Sequence, residues 1–527
     1  MPSNATNGSA TAIRKHNRPS MSSELIAATR DVSSNGSGIE IEKHSGSMPA
    51  PIAPAFSIYS TWQKRGIVLA ASLAAFFSPM TQQIYYPALP TLAHTFNVSN
   101  SAINLTVTSY MVFQGLTPMF LGDFADRAGR RPTYIVCFAV YIAANIALAR
   151  THSYAALLGL RCLQAAGSSS TVALAFAIVA DVVTSAERGA YISFTAVPVV
   201  LAPALGPVIG GTLAEYVGWR WIFWYLAIFS GIMLFALFMF LPETCRVLVG
   251  DGSRTPPRLN RTGYALAKEL FLSQRTPLPE ASTLEPPPRA ELRLPNPLPA
   301  IQILFEKELG LLLLSSSLVF SGFYSVSSAI PSLFRATYGL TELQIGLMFL
   351  PLAAGSIAAA AVVGPLMNWN YRRHSARLNF THDRHTQPDL ATFPIERVRL
   401  QAGLPPLLVA TVAIVAWGWA VHAQAHISIL CLLMFVFGGG MVGYSNTSNA
   451  LIVDVSRARA GTATAANNIA RCLVGAGASA AVVPLIKVIG VNWAFTLVGS
   501  VYLAAVPMLL VIMNYGMQWR SELEENH

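Results

Sequence analysis

Two arginines stand where a charge is costly. Arg161 and Arg471 each lie inside a long apolar run. A guanidinium at the centre of a bilayer costs ~2.5–3.5 kcal/mol on insertion scales, so by default it faces a polar interior and carries function. Gln164 and Gly167 follow Arg161 at i+3 and i+6, roughly on one helical face. Arg471 follows Asn467 and Asn468, and with Asn446, Asn449 and Tyr324 it offers a set of donors for a central cavity. Two alternatives stay open. Arg161 is about seven residues from the end of its run, within reach of snorkelling to the interface, and the asparagines serve equally well as helix–helix hydrogen bonds. No acid lies at the depth of the arginines: Asp123, Asp181, Asp454, Glu215 and Glu342 all fall at the margins of the runs. An organic cation calls for a buried carboxylate, whereas buried guanidiniums suit an anionic, zwitterionic or neutral ligand, such as a carboxylic acid or an apolar metabolite. No Ser/His/Asp set, HExxH or Walker loop is present. His374, His382 and His385 lack a cysteine or acid at ligand spacing, so neither an enzyme nor a metal site is expected.

The elements that must position these residues are membrane helices. Hydrophobic residues make up 53% of the 527 and charged residues 11%, with a mean hydropathy of +0.48. A soluble surface needs about 25% charge. Apolar runs long enough to cross a bilayer lie near 66–86, 103–121, 133–149, 154–180, 190–213 and 221–241, then near 309–331, 343–366, 404–421, 427–450, 462–486 and 493–514. The expected fold is therefore an all-α membrane protein of 12 transmembrane helices in two pseudo-symmetric six-helix bundles, 66–241 and 307–514. Residues 1–65 read as a disordered cytoplasmic tail without a signal-peptide h-region. Residues 242–306 read as a cytoplasmic Pro-rich linker, 368–403 as a cytoplasmic insertion rich in Arg and His, and 515–527 as a cytoplasmic tail.

The net charge of +10 sits almost wholly in the hydrophilic stretches, which argues for membrane orientation rather than nucleic acid. With both termini in the cytoplasm, only Arg150, Arg220, Arg335 and Lys487 face outward, whereas the short inner loops carry Arg127, Arg130, Arg131, Arg188, Arg457 and Arg459. The five cysteines show no metal-ligand spacing and read as small core residues. The halves also repeat. After span 2, Gly122 is followed by Asp126 and then Arg130-Arg131; after span 8, Gly364 is followed by Asn368 and then Arg372-Arg373, at the same spacings. Asp181 and Asp454 close spans 4 and 10. Parallel repeats of six helices are a transporter architecture, with substrate bound between the halves at mid-membrane.

The loop Gly122-Asp123-Phe124-Ala125-Asp126-Arg127-Ala128-Gly129-Arg130-Arg131-Pro132 has the composition of a gate. Its glycines permit tight turns, Asp126 is suited to a helix N-terminus, and its arginines are suited to acids of the other half. The loop resembles the signature G-x-L-a-D-r-x-G-r-r of the major facilitator superfamily, with Phe124 in place of Leu. Arg161, Gln164 and Gly167 resemble that family's R-x-x-q-x-x-G element. Gly206-Pro207-Val208-Ile209-Gly210-Gly211 is similar to the antiporter motif of its drug-export branches, with Ser193 and Ala202 where the longer pattern has glycine. The runs Tyr85-Tyr86-Pro87-Ala88-Leu89-Pro90, Phe393-Pro394-Ile395-Glu396 and Asn467-Asn468-Ile469-Ala470-Arg471-Cys472 resemble the fungal 12-span drug:proton antiporters, in particular the quinidine-resistance subgroup and its citrate-exporter relatives.

That resemblance, over about residues 60–515, implies a secondary transporter exporting a small organic molecule by proton antiport. It implies no cofactor beyond a proton gradient, a monomer in a plasma or vacuolar membrane, and small-molecule, proton and lipid partners. An anion uniporter, a nutrient importer and a non-transporting sensor are the alternatives. An anion leaving a cell that is negative inside runs downhill by ~2.3 kcal/mol per charge per 100 mV, so uniport suffices energetically. Asn97-Val98-Ser99 is a glycosylation sequon on the expected outer side.

Overall fold

The structure, a computed structural model, describes residues 57–257, 260–272, 298–377, 393–456 and 459–525. The sequence readings for the first 56 residues, for most of the Pro-rich linker, and for His382, His385 and Arg457 lie outside the described residues. Among the described residues twelve long helices follow in order: α1 Thr61–Thr95, α2 Asn100–Ala128, α3 Arg130–Ala149, α4 Tyr154–Val182, α5 Ser185–Tyr216, α6 Arg220–Phe240, α7 Lys307–Tyr338, α8 Glu342–Arg377, α9 Ile395–His422, α10 Ile427–Val455, α11 Ala460–Ile489 and α12 Val491–Glu525. Eleven are long and apolar enough to cross a membrane by that measure alone. The more polar α2, with Asn104, Thr106, Thr108, Ser109 and Gln114, completes the twelve. Its 29 residues rise about 43 Å, which is ample for a bilayer.

Large apolar side chains such as Ile232, Phe235, Val412 and Leu432 are exposed, as an apolar surrounding requires. Packing inside the bundle relies on aromatic edges and small residues, because lipid gives no hydrophobic drive for helices to associate. Phe77 meets Phe138 and Tyr141 edge-on in the first half, and Trp417 meets Phe495 in the second. The first and last described residues lie on one face of the bundle, here called the terminal face; the opposite face is distal.

Several boundaries differ from the sequence reading. Helix α12 continues to Glu525, so the expected tail from 515 is mostly helical. Helix α8 continues to Arg377 and α9 begins at Ile395, which reduces the insertion read at 368–403 to the stretch between them. The reason is one residue. Gly129 adopts φ +109° and breaks the chain between α2 and α3, whereas the corresponding position of the second half is Tyr371, which stays helical. The linker read from 242 is not free at its start, since Glu243, Thr244 and Cys245 are buried and a short helix spans Gly263–Leu272.

Candidate functional site

The segment Gly122–Arg131, expected as a loop, is almost wholly helical: Gly122–Ala128 form the end of α2 on the terminal face, Gly129 alone breaks the chain, and α3 begins at Arg130. Arg127 pairs with Asp123 one turn back at 2.9 Å, and Arg130 pairs with Asp126 at 2.5 Å and with Asp181 of α4 at 3.0 Å. Arg131 is buried, donates from Nη2 to the Phe238 carbonyl at 2.8 Å and lies over the Phe238 ring. These partners all belong to the first half, so the expected bridges from the arginines to acids of the other half are not the contacts described here.

The acid at the N-terminus of α3 is also not Asp126. It is Glu243, just past α6: Oε1 accepts from the Arg130, Thr244 and Cys245 amides at 2.9, 3.0 and 3.0 Å. Its Oε2 accepts from the Arg131 amide at 3.3 Å and from Asn260 Nδ2 at 2.7 Å. A buried carboxylate gathering these donors satisfies the orphan amides of the helix start. Gly129 is required beside it, since a Cβ there would lie 2.3 Å from both Glu243 and Asn260. Sequence reasoning passed over Glu243 because it falls in the supposed linker; an acid two residues past the last residue of a span was the available signal.

At mid-depth Arg161 is fully buried and does not reach the interface. Its guanidinium lies between the rings of Tyr85 and Tyr110, 4.1 and 4.3 Å from their centroids, and Nη1 donates to Gln164 Oε1 at 2.6 Å. Gln164 in turn donates to Asn145 Oδ1 at 2.7 Å. Gly167 holds α4 against α3, where an added Cβ would come within 2.6 Å of the Tyr141 amide. Arg161 Nε and Nη2 are buried without a partner, as are Gln82 Nε2, the Tyr86 hydroxyl, Gln114 Oε1 and Arg471 Nε. Arg471 is half-buried, 4.7 Å from the Phe320 ring, and donates to Asn468 Oδ1 at 3.0 Å. Tyr324 faces Arg471 and Gln82, and Asn468 Nδ2 reaches across to the Gln114 carbonyl of the first half at 3.4 Å. Arg161 is held by α1, α2 and α4 of the first half, whereas Arg471 lies beside the contact between the halves; among the described residues no carboxylate pairs with either.

Asn467 instead donates to Asn449 of α10 at 3.1 Å, and Asn449 to Ser445 at 3.4 Å. This is a helix–helix contact. Asn446 is half-buried beside it, and among the described residues no hydrogen bond reaches its side chain.

The glycine run of α5 forms two seams. A Cβ on Gly210 would collide with the Ile84 carbonyl of α1, and one on Gly206 would meet Gln83 at 3.0 Å. On the other side Gly211 lies against the Glu342 carbonyl of α8, and Gly346 of α8 lies against the Pro207 carbonyl, with Cβ clearances of 2.3 Å each. Backbones this close permit a tight crossing of α5 and α8 between the halves. Beside it, Glu342 accepts from Thr91 and Arg335 at 2.5 and 2.8 Å, and the Leu343 amide donates to Glu215 at 2.8 Å. The halves thus close on each other at the distal face.

The terminal face holds two further acids: Glu308, which the sequence reading did not name, and Glu396, named there only within the run Phe393-Pro394-Ile395-Glu396. Glu308 of α7 and Glu396 of α9 are buried near Gly516, and Glu396 pairs with Arg520 at 2.7 Å. The sequence repeat is also re-registered. The second-half counterpart of Arg130–Asp181 is Arg399–Asp454 at 2.9 Å, while Arg372 and Arg373 remain on α8. His374 hydrogen-bonds Gln401 at 2.8 Å, and among the described residues no cluster of three metal-binding side chains occurs. Asn97 is exposed with φ +52° in the turn between α1 and α2, and the Ser99 hydroxyl of its sequon caps α2.

Twelve long helices in two six-helix halves, with buried polar residues inside and close backbone contacts where the halves meet, form the architecture of a secondary transporter. The chain belongs to the Major Facilitator Superfamily, whose family model matches residues 71–480. It is 44% identical to the MFS-type transporter phiD of a fungal species, over 89% of this chain and 71% of that protein. It is 33% identical to Citrate exporter 1 of Aspergillus niger, over 89% of each. The inward-open, partially occluded xylose transporter XylE of E. coli has the same fold, with a TM-score of 0.60 at 13% identity, covering 86% of this chain and 98% of that one. The chain is a membrane transporter and not an enzyme.

Proposed function

We propose that this transporter exports an anionic or neutral organic molecule, such as a carboxylic acid or an apolar metabolite, by alternating access across a plasma membrane. One observation carries the proposal: the fully buried Arg161 has two unpartnered nitrogens and the half-buried Arg471 one, and among the described residues no carboxylate pairs with either. A buried cation without a counter-ion is costly, and an incoming carboxylate would supply the missing acceptor. The likeness to Citrate exporter 1 supports an acid as substrate, and the antiporter-like run of α5 supports export. With the terminal face cytoplasmic, the distal seam is the external gate, and it is closed in this structure.

Proton antiport is part of the proposal. Asp123, Asp126, Asp181, Glu308 and Glu396 at the terminal face are the acids that would take part; among the described residues none pairs with Arg161 or Arg471. The test is efflux from liposomes loaded with candidate acids, with and without a pH gradient. Arg161→Ala and Arg471→Ala should abolish movement of acids while leaving surface expression unchanged. Saturable transport of quaternary amines without acids would refute the substrate class, and efflux indifferent to the pH gradient would select uniport.

A further inference from the structure

On the terminal face, the ends of α8 and α9 enclose a cavity of about 410 Å³. Its lining is graded. Arg373, His374 and Arg377 lie toward the end of α8, with Gln401 opposite, while Leu366, Ala402 and Pro405 line the deeper part. Leu366 is eleven residues before the end of α8 and Pro405 ten residues into α9, so the lining runs about 15 Å from the charged helix ends into the apolar layer. Trp369, 57% exposed, stands between the two levels with the Arg373 guanidinium 5.4 Å from its ring centroid. An amphipathic ring at that height marks a membrane interface.

The half-repeat explains why this charge is unspent. In the first half, Arg130 is occupied by Asp126 and Asp181. At the matching place in the second half the first of these acids is replaced by Asn368, and Asp454 is engaged by Arg399. Among the described residues, Arg373 and Arg377 therefore have no carboxylate partner, and no acid lines the cavity. Two guanidiniums and an imidazole above an apolar floor match a phosphate group that carries hydrocarbon.

We propose that this cavity binds the phosphate headgroup of an anionic phospholipid from the leaflet on the terminal face, with Arg373 and Arg377 on the phosphate and Trp369, Leu366 and Pro405 against the acyl chains. The experiment is native mass spectrometry of the purified full chain titrated with dioleoylphosphatidylserine, dioleoylphosphatidylcholine or inorganic phosphate. Retention of phosphatidylserine over phosphatidylcholine is expected. At roughly fivefold per basic residue near an anionic lipid surface, the Arg373→Gln/Arg377→Gln variant should bind it about 30-fold more weakly. Arg373→Lys/Arg377→Lys should keep most of the binding, since the charge remains. Arg65→Gln, which removes an exposed Arg–Trp pair outside the cavity, against Trp62, should change nothing. Equal retention of both lipids by the wild-type protein overturns the proposal even if the glutamine variant does not fold. Unchanged phosphatidylserine binding in a folded glutamine variant overturns it too. Arginine-dependent displacement of the lipid by millimolar inorganic phosphate would reassign the cavity to a soluble anion.

Discussion

A methyl group placed on Gly211 has no room while the distal face is shut. Its Cβ would lie 2.3 Å from the Glu342 carbonyl oxygen and 3.0 Å from the Leu343 Cα. Both are backbone atoms, so no side-chain rotation relieves the clash. Helix α8 must recede by about 1 Å to restore ordinary contact, which drags Gly346 off the Pro207 carbonyl as well. Overpacking of this kind typically costs about 1–3 kcal/mol, charged here against the distally closed state. The opening equilibrium of the seam should therefore rise roughly 5- to 150-fold in Gly211→Ala. Hydrogen–deuterium exchange of the segment 342–347 reads this directly, because the Leu343 amide donates to Glu215 across the seam. Exchange there should accelerate by that factor, while segments around Arg130 keep their protection. Gly231 has open space around its Cβ position, so Gly231→Ala is the control. Wild-type exchange in Gly211→Ala would refute the view that backbone proximity at the seam sets the closed state; equal acceleration in every segment would show mere destabilisation.

Other expectations follow from the same contacts. Glu243→Gln turns an NH₂ toward amide donors that Oε1 or Oε2 now receives, orphaning at least one at about 1–3 kcal/mol; thermal unfolding of the purified protein should show the loss. Burial pushes the Cys245 thiol above its ordinary value, and Sγ donates to the Asp126 carbonyl at 3.3 Å. The thiolate is thus scarcer at neutral pH than in a free cysteine, and maleimide labelling of Cys245, followed by peptide mass spectrometry, should be slow, should rise with pH, and should accelerate in Glu243→Gln. Arg335 is half-exposed, so its pair with Glu342 is worth at most about 1 kcal/mol; Arg335→Met should speed exchange at 342–347 no more than about fivefold, well short of the upper range for Gly211→Ala.

Much of this molecule is legible in one dimension, because a membrane helix closes its backbone hydrogen bonds within its own segment. The approximate place of eleven of the helices follows from apolar run length; the more polar α2 is the one that passes that measure least well. The break between α2 and α3 follows from Gly129, and the cost of Arg161 and Arg471 follows from the runs that contain them. The helix ends are less legible: α8 and α12 run past their apolar stretches because polar residues at a bilayer surface neither require nor forbid a helix.

The choice of partners belonged to the tertiary structure. Glu243 reaches the start of α3 from the far side of α6, Asp454 takes Arg399 rather than the arginines that the repeat suggests, and Asn467 turns to Asn449 while its neighbour Asn468 turns to Gln114. Local sequence states which side chains carry charge or hydrogen-bonding capacity. Which of several chemically equivalent partners is met depends on how helices remote in the chain are packed, and that packing is decided by close backbone approaches such as Gly211 on Glu342, whose two members lie far apart in the sequence.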